Sequence, residues 1–196
     1  MKNNLSLNIV DTAFTKENLQ NILEGSFNAP YIKLFGIIHF SYKDCLEYDL
    51  IKINPKVAVH RKCALAFEKM RIAAQNDNIN LEIISGYRSS DYQVSIFKKK
   101  FTVKDSPTLS ELEMRLKFSA PPGFSEHHTG LAIDINSVED DFAMTKEYEW
   151  LKNNAHKFGF ENSFPQSNRQ GLGFEPWHWR FIDNETQALF LYARSL

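Results

Sequence analysis

The chain has 196 residues with 43% hydrophobic and 13% aromatic content, enough apolar material for one globular core and too much for a disordered segment. Its formal charge of -1 lacks the clustered cationic excess that nucleic acid or an anionic membrane surface demands. Two cysteines, Cys45 and Cys63, are too few for a disulfide framework and do not have the C-x-x-C spacing of a structural zinc or redox pair.

The opening stretch, MKNNLSLNIVDTAF, has no unbroken apolar segment of the secretory kind, and YIKLFGIIHF is interrupted by Lys33 and too short to span a bilayer. The expectation is a protein without membrane insertion, cytoplasmic by the absence of a visible signal, with a periplasmic or extracellular location as the alternative if the sequence is a trimmed piece. TKENLQNILEG reads as a short helix with Thr15 as N-cap and Gly25 at its end, and residues 31–53 as extended or hairpin structure. From Asn54 to Asn78 apolar residues recur at Val57, Cys63, Ala64, Phe67, Met70 and Ala74, a spacing that predicts an amphipathic helix. INLEIISGY is β-rich, and SSDYQVSIFKKKF starts a helix capped by Ser89 or Ser90, with Lys98–Lys100 as its solvated end.

SPTLSELEMRLKF predicts another helix, stopped by the APPG turn. After it come a strand in GLAIDI, a helix in TKEYEWLKNNAHKFGF closed by Gly159, a strand in HWRFI, and a C-terminal helix capped by Asn184. Helices and strands alternate without a regular βαβ rhythm. The expected class is α+β: a small, mainly antiparallel sheet with helices packed against it.

The chemistry concentrates in two segments. Alternation along the 131–135 strand points Leu131, Ile133 and Ile135 to the core and leaves Asp134 on the other face, where a carboxylate among isoleucines needs a charged partner or a metal. His127 precedes Gly130 in the turn entering that strand, which lets an imidazole and the aspartate converge. His128 is then expected to point elsewhere, into solvent, with a place in the pocket wall or behind the ligands as the alternative. In EPWHWRF, Trp177, Trp179 and Phe181 share one face and His178 and Arg180 the other, with Glu175 just before the rigid Pro176.

Taken singly, His127 reads as a turn histidine, His178 as a surface strand residue and Asp134 as a salt-bridge partner. Together, two imidazoles and one carboxylate suit a catalytic zinc, one per chain, with three protein ligands and a fourth position open. Glu175 is the candidate base for a metal-activated water. His156 sits where a helix ends and complements its dipole, while His39 and His60 have no partner motif and read as non-catalytic. Ser125 lacks a nucleophile elbow, which argues against a covalent mechanism.

SEHHTGLAID, EPWHWRF and the upstream SGYRSSDYQ resemble, in family order, the D-alanyl-D-alanine carboxypeptidase family of zinc peptidases, which includes vancomycin-resistance carboxypeptidases and dipeptidases. The resemblance covers about residues 54–181 and implies a zinc carboxypeptidase domain over 51–196, with 1–50 as an N-terminal extension packed on the core. It implies zinc ligands His127, Asp134 and His178, catalytic Glu175, and Arg88, Gln93 and Ser125 holding the terminal carboxylate of a peptidoglycan stem peptide. A guanidinium forks onto a carboxylate with two charge-assisted bonds, so Arg88 also suits the oxyanion of the reaction. The implied reaction is removal of a C-terminal D-amino acid. L,D-carboxypeptidase, D,D-dipeptidase and non-catalytic zinc-site binding module are the alternatives.

Overall fold

A computed structural model of the chain describes residues 10–195, so the first nine residues of the opening stretch lie outside the described residues. Helix α1 (Lys16–Glu24) begins where Thr15 accepts the Asn18 N–H and ends at Gly25 in the left-handed region. Strands β1 (Tyr31–Leu34) and β2 (Ile37–Phe40) form a hairpin, and β3 (Leu50–Lys52) pairs antiparallel with β4 (Ala58–His60).

The helix predicted from Asn54 starts later, at α2 (Arg61–Asn76). The Asn54 carboxamide oxygen accepts the N–H groups of Lys56 and Val57 and turns the chain, and the next three residues are claimed by the ladder with β3. His60 then caps α2 by accepting the Lys62 N–H on Nδ1, a structural use for a histidine that sequence alone left idle. Along α2, Cys63, Phe67, Met70 and Ala74 form the buried stripe.

The central sheet is four-stranded and wholly antiparallel, in the order β5 (Ile83–Ser85), β6 (Ala132–Ile135), β8 (His178–Phe181), β7 (Phe160–Asn162). Between β5 and β6 lie α3 (Ser90–Lys98), capped by Ser89, and α4 (Leu109–Phe118), whose Thr108 and Glu111 form a reciprocal capping box. Helix α5 (Lys146–Asn154) passes into a 3-10 turn closed by Gly159. This is the α+β architecture expected from the sequence.

The C-terminal helix is shorter than predicted and Asn184 does not cap it. Instead Asp183 accepts the N–H groups of Glu185 and Thr186, a 3-10 turn follows over Gln187–Phe190, and α6 (Leu191–Ser195) closes the described chain. Cys45 and Cys63 are both free thiols. Among the described residues no helix is long and apolar enough to cross a membrane.

Two apolar clusters hold these elements. One packs the inner face of the sheet, through Ile133, Ile135 and Trp179, on α2 and α5. The other joins Ile22, Leu23, Ile32 and Ile37 of the N-terminal segment to Phe97, Leu112 and Leu116 of α3 and α4. Both clusters border a single cleft, whose wall includes His39, Phe40 and Tyr42 as well as residues of β6 and β8.

Candidate metal centre and active-site cleft

Asp134 and His178 are directly opposite each other in the β6–β8 ladder, so the hydrogen-bond register alone brings an aspartate and a histidine into contact. His178 Nδ1 lies 3.1 Å from Asp134 Oδ1. His127 arrives from the 3-10 turn Glu126–Thr129, which Ser125 caps and Gly130 ends with φ 67°. Its Nε2 lies 3.4 Å from Asp134 Oδ2, and its ring stands edge-on to that of His178 with centroids 4.9 Å apart. All three side chains are buried, and their potential ligand atoms lie within 4.8 Å of one another.

This donor set fits one zinc ion. Two imidazoles and a carboxylate form a three-protein-ligand arrangement, and the tautomers agree with it. His127 Nδ1 is 2.7 Å from the carbonyl oxygen of Gly86, which can only accept, so Nδ1 carries the proton and Nε2 is left as the donor atom. Gly86 has no substitute there: a Cβ on it would lie 2.5 Å from the Ala58 carbonyl oxygen and 2.7 Å from Val59 Cγ1.

Glu175 stands at the edge of the cluster, its Oε2 3.8 Å from His178 Nδ1. Its backbone is fastened by its own N–H to Phe164 O and by the Asn162 carboxamide, which donates to its carbonyl. Burial pushes its carboxyl up, against the pull of His178, to about 7. Burial also lowers His127, reinforced by the Arg88 charge, to about 4. For Asp134 burial acts upward, but His127 and His178 outweigh it and hold the carboxyl well below the usual range.

The three residues implied for substrate recognition reach the same cleft, a cavity of about 780 Å³. Arg88 donates its backbone N–H to His127 O, and its Nε has no partner among the described residues. Gln93 donates to Ala120 O and leaves Oε1 unpartnered, while Ser125 accepts the His127 N–H on Oγ at 3.3 Å. The structure thus brings together His127, Asp134, His178, Glu175, Arg88, Gln93 and Ser125.

His128 departs from the expectation of exposure. It is fully buried, donating from Nδ1 to Arg88 O at 2.7 Å and accepting the Gly123 N–H on Nε2. Those bonds tie the Arg88 loop to the loop before His127. His39, read as an isolated histidine, is also buried and lines the cleft, with burial lowering it to about 4. His156 stays exposed in the 3-10 turn after α5.

Sequence reading missed Glu126, which is 3% exposed. Its Oε2 is 3.1 Å from His178 Nε2 and receives the Ser163 hydroxyl, and its Oε1 is 2.6 Å from Arg180 Nη1 and 3.4 Å from the Tyr42 hydroxyl. Burial acts to raise its carboxyl, but Arg180 and His178 prevail and hold it at about 2. A signal was present: alternation put Arg180 on the same face as His178, and a guanidinium beside a candidate ligand calls for an acid nearby.

The chain is similar to known proteins over most of its length. YodJ of Bacillus subtilis (strain 168) is 30% identical over 174 residues, covering 84% of this chain and 58% of YodJ. A solved variant of the vancomycin-resistance D,D-pentapeptidase VanY, in complex with Zn(II), superposes with a TM-score of 0.59 at 27% identity over 76% of this chain and 87% of that one. The LD-carboxypeptidase LdcB, whose structure concerns peptidoglycan recognition, superposes with a TM-score of 0.59 at 26% identity over 89% of this chain and 82% of its own. The chain spans about half the length of the curated relatives it matches. Residues 56–184 match the VanY D-alanyl-D-alanine carboxypeptidase family, and the protein belongs to that family.

Proposed function

We propose that this protein is a zinc-dependent carboxypeptidase that removes the C-terminal D-amino acid of peptidoglycan stem peptides. The observation that carries this reading is the meeting, in one cleft, of a two-histidine, one-aspartate cluster with a buried glutamate 3.8 Å from one of its histidines and with Arg88. A bound zinc supplies a Lewis acid for the scissile carbonyl and lowers the pKa of water toward ~7. Glu175, raised to about 7, is matched to take a proton from that water on Oε2 and to return it to the departing amine.

Arg88 decides which peptide end enters. Burial lowers its pKa, while the charges of Asp134 and Glu175 oppose that shift, and its unpartnered Nε is suited to a carboxylate that replaces lost hydration. Gln93 and Ser125 flank it. An endopeptidase has no free carboxylate at the scissile bond, so a guanidinium placed here supports exopeptidase action. The retained Glu175 supports catalysis over mere peptide binding, because a binding module has no use for a base.

A second reading concerns bond choice. The likeness to LdcB, equal in TM-score to that with VanY and covering more of this chain, supports L,D cleavage of tetrapeptides as the alternative to D,D cleavage of pentapeptides. The test is mass analysis of products from defined tetra- and pentapeptides incubated with the zinc-loaded protein and with Glu175→Ala. Release of one D-alanine from the pentapeptide by the wild type alone is the expected result. Release from the tetrapeptide alone selects the L,D reading, and a folded, zinc-loaded protein that frees neither overturns both.

A further inference from the structure

We propose that Glu126 is a positioning residue of the metal centre: it fixes the tautomer and orientation of His178 and so sets the affinity of the site for its metal. This rests on the reading of His127, Asp134 and His178 as a zinc site.

Both carboxylate oxygens of Glu126 are committed as acceptors, Oε1 to Arg180 and Tyr42, and Oε2 to Ser163. An ionised carboxylate has no proton to donate, so the imidazole nitrogen facing it at 3.1 Å must carry the hydrogen. His178 therefore keeps its Nε2 proton. Its Nδ1 faces the ionised Asp134 carboxylate at 3.1 Å and by the same argument carries a proton in the metal-free chain, so the Nδ1 proton, on the side where the cluster converges, is the one a bound metal ion would displace.

The arrangement parallels His127, where Gly86 O accepts the Nδ1–H and leaves Nε2 as the atom for a metal. The two supports differ in strength. A carboxylate behind an imidazole makes it a more basic ligand than a carbonyl does, and such partners affect metal affinity by about 10–100-fold.

Glu126 is itself held in place. Arg180 reaches it from β8 and is anchored on its other side by Glu161 at 2.8 Å, with its guanidinium over the Phe190 ring. Tyr42 comes from the N-terminal segment, outside the family match, so that segment touches the metal centre through this carboxylate.

A bland alternative is that Glu126 exists only to neutralise Arg180. The experiment separates the two roles by measuring zinc affinity, by competition with a chromophoric chelator, in wild type, Glu126→Gln and the double variant Glu126→Gln/Arg180→Met. The absorption spectrum of each with Co(II) in place of zinc reports ligand geometry independently of activity. Glu126→Gln is expected to bind zinc about 10–100-fold more weakly and to shift the cobalt bands, and the double variant is expected to stay weak.

Unchanged affinity and spectrum in a folded Glu126→Gln would overturn the proposal, and so would recovery of both in the double variant. If Glu126→Gln alone does not fold, the double variant, which carries no stranded guanidinium, gives the same reading. A wild type that binds no zinc would overturn the metal site itself, and this inference with it.

Discussion

In the proposed reaction Glu175 is the residue on which turnover depends, and its environment sets when it works. Only the ionised carboxylate accepts a proton from water. Because burial raises the group to about 7, against the opposing pull of His178, the active form accumulates as pH rises through about 7. The kcat/KM profile is therefore expected to climb with pH to a plateau above that value, falling about tenfold per unit on the acid side. Glu175→Gln is expected to lower kcat by about 10²–10⁴-fold and to abolish that limb while zinc still binds. A Gln variant that keeps the wild-type profile would assign the limb to another group.

The three candidate ligands come from β6, β8 and the turn before β6, and their orientation depends on backbone atoms of neighbouring elements. The end of β5 is the clearest case. Gly86 packs so tightly on β4 that an added Cβ would meet the Ala58 carbonyl at 2.5 Å, while its own carbonyl orients His127. Gly86→Ala must shift that carbonyl, because the atoms in the way include backbone. The expected outcome is a loss of about 1–3 kcal/mol in denaturant melts of the apo-protein together with weaker zinc binding. A change in stability with unaltered zinc affinity would show that His127 finds its orientation without this support.

Across the molecule, a metal held by the candidate cluster would tie the turn before β6 to β8, and unfolding would disperse its ligands. Zinc at 100 times its dissociation constant is expected to add about 2.7 kcal/mol. For a chain of this size that is a rise in Tm of roughly 5–11 °C, reversed by a chelator. His178→Ala should melt at the same temperature with and without zinc. Equal melting of the wild type with and without zinc would instead show that the cluster holds no ion.

Local signals were enough to read much of this molecule. Period-two alternation in HWRF placed His178 and Arg180 on one face, a cap and a glycine bounded α1, and three short motifs carried the ligand set, the base and the guanidinium. These features depend on a few neighbouring residues, so they survive without knowledge of the fold. What remained hidden depends on residues far apart in the chain. β4 took the first residues of a helical pattern because β3 was there to pair with them, and His128 was buried because Arg88 and Gly123 closed over it. Glu126 came to face His178 because Tyr42, Ser163 and Arg180 met around it, from 84, 37 and 54 residues away. Composition and spacing name the groups that have chemistry to offer. Packing, by removing water from some of them and supplying distant partners, selects which ones use it.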